Sequence, residues 1–236
     1  MAEYKLNILK PSVNNLTVRI FMRAAELDFE EVDVWGKSTG PEYIGKYPPH
    51  LTPSLEDASL PRGTLGESCA IMAYLCDKHD LERFYPRDPA RRAVVNNAMF
   101  YLIGTFYPLL TRATYPTLGF PQYAGEVGTS DADDDMKTKA QKEAEAALAD
   151  PLEAFHRFFV EGQPFVGGDS PSIADIRLAA SLEFLRSIDY EFPQWANEFM
   201  SKMESALGEA YTEPAADVRG YIEYVKSQQA EEVATT

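Results

Sequence analysis

Near residue 80 the rhythm of apolar positions along the chain changes from mixed to purely helical. Before that point, Tyr4 to Leu9 reads as a short β run. From Asn15 to Glu26 the apolar residues Leu16, Ile20 and Met22, with Leu27 beyond, fall at helical spacing. Phe29 to Val34 then returns to strand-like alternation. This β-α-β order predicts a parallel strand pair with a right-handed crossover. A Gly/Pro-rich passage from Gly36 to Pro53 follows, in which Gly40-Pro41-Glu42-Tyr43 can start a short helix. Pro53 to Glu56 and Thr64-Leu65 predict two short antiparallel strands around a turn at Leu60-Pro61-Arg62-Gly63, and a helix runs from Glu67 to about His79.

After Tyr85-Pro86-Arg87-Asp88-Pro89, whose prolines stop one helix and start the next, only helical patterns remain. A long helix is expected from Pro89 to Tyr115, bent at Pro108, where proline removes a helical hydrogen bond. A long connection rich in Gly, Pro and Tyr spans Thr117 to Ser130. The acidic run Asp131 to Asp135 suits a helix start, where the dipole favours negative charge. Further helices are expected over Asp134 to Phe159, Pro171 to Ser187, Phe192 to Leu207 and Asp217 to Lys226. Ser172 and Asp175 have the spacing of a capping box.

The fold class is therefore α/β followed by all-α. A thioredoxin-like βαβ–ββα domain over residues 1–80 and a linker over 81–88 precede a helical-bundle domain over 89–228. A disordered tail is expected over 229–236.

The length of 236 residues, the 45% hydrophobic share and the 25% charged share suit a globular protein with a sizeable core. No run of apolar residues looks long enough to span a bilayer, and Met-Ala-Glu-Tyr-Lys at the start lacks a secretory pattern. A cytoplasmic protein is the expectation. The net charge of −15 excludes nucleic acid and anionic membranes as partners. Cys69 and Cys76 lie on one helix, about 10 Å apart, too far for a disulfide. The scattered histidines His50, His79 and His156 suggest no metal site.

The chemistry sits in an ordered set of short motifs. Thr52-Pro53 ends an extended segment, and Glu67-Ser68 opens the helix that follows. An extended edge can pair with the amides of a peptide ligand, and a helix N-terminus can take its carboxylate. Glu67 can meet an ammonium group while Ser68 holds the carboxylate. A turn followed by a capped helix would satisfy the same residues.

Taken with the helical second half, this set resembles the cytosolic glutathione transferases, whose cis-proline loop precedes a Glu-Ser pair that grips the γ-glutamyl group. The resemblance covers nearly the whole chain. It implies that Leu51, Thr52 and a cis Pro53 shape the edge that binds the cysteinyl residue. His50 or Lys37 would meet the glycine carboxylate, and the spacing leaves open which. Ser172 and Asp175 then match the folding motif at the entry to the family's sixth helix.

The turn Lys10 to Arg19 connects the first strand to the first helix. A hydroxyl and amides at a helix N-terminus stabilise a thiolate through hydrogen bonds and the dipole. Ser12 occupies such a position, and Asn14 and Asn15 add amide donors, although any of the three can equally cap the helix. The placement resembles serine-type transferases of the theta class and related bacterial enzymes. The hydroxyl followed two residues later by Asn is similar to the Nu type. Leu16 departs from theta-type members that carry a basic residue just after their serine. Tyr4 lies inside the strand, which fits the tyrosine-dependent classes less well.

Ser12 and Asn14 are accordingly expected to be catalytic. Asn15, Lys37, His50, Leu51, Thr52, Pro53, Glu67 and Ser68 are expected to bind glutathione, the co-substrate. Phe106, Tyr107, Arg112 and Tyr115 on the long helix are expected to line an apolar pocket for a small electrophile, an epoxide being the reading preferred. A tyrosine there can give a proton to the leaving alkoxide. The resemblance further implies a homodimer and no metal. Glutathione-dependent disulfide reduction, or a non-catalytic scaffold on the same fold, are the alternatives. Glutathione is itself anionic, so a local positive potential must overcome the field of an acidic chain.

Overall fold

The computed structural model of the chain describes residues 2–120 and 131–234. Its first part is a four-stranded sheet in the order β2-β1-β3-β4, built from β1 (Tyr4–Ile8), β2 (Phe29–Asp33), β3 (Ser54–Glu56) and β4 (Thr64–Gly66). β1 pairs parallel with β2 and antiparallel with β3, and β3 pairs antiparallel with β4. β1 is an inner strand, so Tyr4, Leu6, Asn7 and Ile8 are all buried. The buried amide of Asn7 is satisfied by Ser54 Oγ and Glu56 Oε1. Three helices complete this unit: α1 (Val13–Ala24), the short α2 (Pro41–Lys46) and α3 (Ser68–Lys78). This is the thioredoxin-like arrangement expected from the alternation.

The rest of the described chain is helical: α4 (Pro89–Tyr101), α5 (Tyr107–Leu118), α6 (Asp134–Ala147), α7 (Ala149–Phe155), α8 (Ile173–Leu185), α9 (Gln194–Leu207) and α10 (Glu209–Ala234). α4 and α5 form one rod through a wide π-type turn at Leu102–Phe106. The irregularity stands just before Pro108, which cannot donate to the ladder. By length and mean hydropathy this rod, Pro89–Leu118, is apolar enough to cross a membrane, contrary to the expectation that no segment is. Ala98, Met99, Leu102, Phe106, Leu110 and Ala113 on it nevertheless belong to the protein core.

Three helix expectations are corrected. The span Asp134 to Phe159 is divided at Leu148, with a second π-type turn at His156–Val160. The last helix starts at Glu209 rather than Asp217, ahead of Pro214, whose carbonyl accepts from Arg19. It also continues to Ala234, so residues 229–234, expected to be disordered, are helical. The acidic run does start α6, with Asp133 accepting from the Met136 N–H at 2.8 Å. Most of the expected Thr117–Ser130 connection, residues 121–130, lies outside the described residues.

α8 is buried along its whole length and packs against α1 and α3 of the first domain and α4, α5, α9 and α10 of the second. The capping box opens it. Asp175 accepts from Ser172 N–H at 2.8 Å and Oγ at 2.7 Å, and from the N–H groups of Val166 at 2.8 Å and Gly167 at 3.1 Å. One carboxylate thus satisfies three backbone donors, two of them buried. At the other end, Glu183 is fully buried and held by Arg219, Arg186 and Tyr211. A second ion-pair group joins the domains through Arg19, which reaches Glu31 at 2.9 Å and Asp217 at 2.6 Å.

Candidate active site

The turn between β1 and α1 places Ser12 at the N-cap of α1, in extended geometry at φ −82° and ψ 136°. Its side chain makes no cap hydrogen bond, so the hydroxyl is not occupied by the role that the alternative reading gave it. Asn14, the second residue of α1, faces the helical domain. Its Nδ2 donates to the Tyr107 hydroxyl at 2.9 Å, and its Oδ1 accepts from the Arg177 guanidinium at 2.7 Å. The Tyr107 hydroxyl also shares a 2.8 Å hydrogen bond with Tyr115. A polar chain of Asn14, Tyr107 and Tyr115 therefore runs from the first domain into the second.

Asn15 points the other way and is fully buried. Its Nδ2 donates to Thr52 Oγ1 at 3.0 Å, tying the loop expected to carry the ligand edge to α1. The Thr52–Pro53 peptide bond is cis. Tyr43 braces the same loop by donating to the Leu51 carbonyl at 2.7 Å, and its hydroxyl lies 2.9 Å from Ser54 Oγ. Among the described backbone hydrogen bonds, none uses the Thr52 N–H or C=O, which leaves both for a ligand's amides.

At the start of α3, Glu67 adopts φ 64° and ψ 112°. A left-handed backbone at a residue other than glycine costs on the order of 1–3 kcal/mol and is held only by its surroundings. Just before Glu67, Gly66 lets the Tyr47 ring pack directly on the backbone, where a Cβ would collide with it. Burial, and then the nearby Glu67 charge, raise the Tyr47 hydroxyl above its usual pKa. Glu67 is exposed, Ser68 is buried as the first helical residue, and the Glu67 side chain makes no cap hydrogen bond to the α3 amides. The amide end stays open to an anion.

The helical side adds an aromatic wall. Phe120 packs edge-on to Tyr115 with ring centroids 5.4 Å apart, and stacks with Tyr221 of α10 at 5.7 Å. Trp35, from the loop after β2, lies 6.3 Å from Phe120 and 6.0 Å from Tyr221 while remaining 51% exposed. The tyrosine hydroxyl pair thus borders apolar rings contributed by both domains.

The Glutathione S-transferase N-terminal domain family matches residues 12–83, the segment holding Ser12, the cis-proline loop and the Glu67-Ser68 pair. The Glutathione S-transferase C-terminal domain family matches residues 138–214. The chain belongs to the cytosolic glutathione S-transferase family. Solved structures agree. A delta-class glutathione transferase of Nilaparvata lugens is 27% identical, with 94% of this chain and 99% of that one covered and a TM-score of 0.71. Glutathione transferase E6 of Drosophila melanogaster is also 27% identical, covering 95% and 96%, with a TM-score of 0.75. Human glutathione S-transferase T1-1, at 21% identity and 98% coverage of both chains, has the same fold at a TM-score of 0.78.

Within this transferase, two expected site residues are reassigned. Phe106 is 1% exposed and packs in the core, so it cannot line an open pocket. Asn15 is 0% exposed and acts on Thr52 instead of presenting an amide to a ligand. Lys37, His50 and Leu51 are exposed on the segment leading to Thr52, His50 with a left-handed φ of 46°. Arg112 is exposed on α5, between Tyr107 and Tyr115 in sequence. Tyr4 donates to Glu3 and contacts His79, each at 2.6 Å. Burial, then the Glu3 hydrogen bond, push its hydroxyl up to about 12, which suits a structural phenol rather than a thiolate ligand.

The sequence reading missed Arg177, Trp35, Phe120 and Tyr221. Arg177 carried a signal, being a lone cation inside the apolar run after Asp175. The three aromatic residues come from separate parts of the chain, and no local spacing links them.

Proposed function

We propose that this transferase holds glutathione as its thiolate at the N-terminus of α1 and directs the sulfur onto a small apolar electrophile. The observation that carries the reading is the Asn14–Tyr107 hydrogen bond, because it couples the thiol-activating turn to a phenol pair beside an apolar wall. A free thiol with a pKa of about 8.5 is mostly protonated at neutral pH. The Ser12 hydroxyl and the α1 amides favour the anion, and the thiol proton leaves to solvent. The γ-glutamyl end is bound by Glu67 and Ser68, with the Thr52 backbone pairing with the cysteinyl residue. His50 or Lys37 serves the glycine carboxylate.

An alkene-derived epoxide is the electrophile this arrangement serves best. The thiolate forms a C–S bond as the ring C–O bond breaks, and the alkoxide takes a proton. Tyr107 accepts from Asn14 and, with Tyr115 donating to it, keeps its own proton for that oxygen. Water then restores the phenol proton. Holding both reactants in one cleft supplies much of the acceleration.

The serine-type assignment, theta-like with the Nu-like Ser-x-Asn pattern, rests on Ser12 and Asn14. A homodimer is expected from the family resemblance. A cytoplasmic site of action fits a glutathione-dependent reaction.

Incubation with glutathione and an alkene epoxide tests the reading, an aryl halide and a model disulfide being run in parallel. A hydroxy-thioether from the epoxide is expected. Disulfide reduction with no thioether from either electrophile would replace conjugation with the reductase reading.

A further inference from the structure

Arg177 is 1% exposed in the middle of α8, and among the described residues no carboxylate forms an ion pair with it. Its contacts are neutral: Asn14 Oδ1 at 2.7 Å, Thr17 Oγ1 at 3.3 Å, and the Tyr107 ring with its centroid 4.9 Å from the guanidinium carbon. Among the described residues its Nε has no hydrogen-bond partner. A buried unpaired charge is costly and is retained where something binds to it or depends on it.

The buried charges Arg19 and Glu183 on neighbouring turns are, by contrast, paired. On α1, Arg19 has Glu31 and Asp217, and Arg23 has Glu31. On α8 and α10, Glu183 has Arg186 and Arg219. The titratable groups facing Arg177 are the Tyr107 phenol of α5, which bonds Tyr115, and the Cys69 thiol of α3, with Glu67 beyond it. Burial raises the Cys69 pKa, and the Arg177 charge opposes that rise, so its field extends to the first turn of α3.

We infer that Arg177 is a positioning residue whose missing counter-charge is the glutathione thiolate. The inference rests on the conjugation reading above and adds to it how the sulfur site is polarised. A guanidinium can only donate, so the Asn14 atom facing it must be the carbonyl oxygen. That contact fixes the amide with both Nδ2 hydrogens turned away from Arg177. One goes to Tyr107, and the second is available to the sulfur. The guanidinium also raises the local potential between α1 and α3 in a poorly solvated setting, where its charge acts strongly. It provides the local positive field that an anionic ligand needs on a chain of net charge −15.

The test is an ultraviolet titration of thiolate in the glutathione complexes of the parent, Arg177→Met and Arg177→Lys, with affinity for S-methylglutathione measured alongside. In Arg177→Met the bound thiol pKa is expected to rise by about one unit, a tenfold loss of thiolate below that pKa, while S-methylglutathione affinity changes less than about threefold. Arg177→Lys keeps the charge and loses the fork. Its thiol pKa is expected within about half a unit of the parent, while turnover falls because Asn14 is no longer held. This second variant decides the matter if the first does not fold. A parent with a depressed thiol pKa that is unchanged in Arg177→Met overturns the inference alone, as does a Lys variant with parental turnover. A parent with no depressed thiol pKa overturns the conjugation reading itself.

Discussion

Asn14 of α1 and Tyr107 of α5 are joined by a 2.9 Å hydrogen bond across the two domains of the chain. On the proposed reading, the first lies beside the thiol at the start of α1 and the second beside the electrophile on α5. Tyr107→Phe removes the phenol without disturbing the apolar wall. Turnover of an epoxide is expected to fall about a hundredfold, the scale of a general acid, while an aryl halide, which needs no proton, keeps most of its rate. Steady-state kinetics on the two substrates check this, and equal losses on both would remove the proton-donor role.

The Ser12 hydroxyl is the group nearest in sequence to the α1 amides and is not used as a cap. Ser12→Ala is expected to lower kcat by about 10²–10³, the scale of losing one preorganised donor to a developing or stabilised anion. Glutathione affinity should change far less, because on the proposed reading Glu67, Ser68 and Thr52 carry that binding. Kinetics at saturating glutathione, paired with calorimetric binding, separate the two. A variant with parental kcat would leave Ser12 with no part in the chemistry.

Legibility of these residues in the sequence depended on how local their signals were. The β-α-β opening, the Glu67-Ser68 helix start and the Ser172–Asp175 capping box are encoded within a few residues, and all appear where the periodicity places them. Phe106 and Asn15 were misassigned for a different reason. Each sits on a helix with more than one buried face, and only the tertiary packing decides which face meets the cleft. The full length of α10 was hidden by Pro214, which reads as a helix start but stands inside the helix. The aromatic wall of Trp35, Phe120 and Tyr221 exists only once the domains are together.

Asp175 accepts from three backbone N–H groups, two of them buried, and the Ser172 hydroxyl. Asp175→Ala leaves all of them without a partner, at about 1–3 kcal/mol for each orphaned donor. A loss of about 3 kcal/mol or more is expected in urea unfolding, enough to cut the soluble yield. Unchanged unfolding would show that water or a shifted loop satisfies those groups.

Acid stability follows from Glu183 and Glu31. Burial works against the charge of each. For Glu183 the hydrogen bond from Arg219 and the charges of Arg186 and Arg219 prevail; for Glu31 the hydrogen bonds from Arg19 and Arg23 do. Both carboxyls are held below the usual glutamate range. A carboxyl depressed in the folded state adds stability above its unfolded pKa, and that stability is lost as pH falls through the folded value. Unfolding midpoints should therefore decline as pH falls below about 5, and Glu183→Gln, less stable at neutral pH, should show a flatter decline. An equal slope in both proteins would contradict this assignment.

The most direct test is to titrate the parent protein with glutathione across pH and follow thiolate absorbance in the ultraviolet. The account predicts a bound-thiol pKa at least about one unit below that of free glutathione, a tenfold gain in nucleophile below both values. Binding with an unshifted thiol, or no binding, would contradict it.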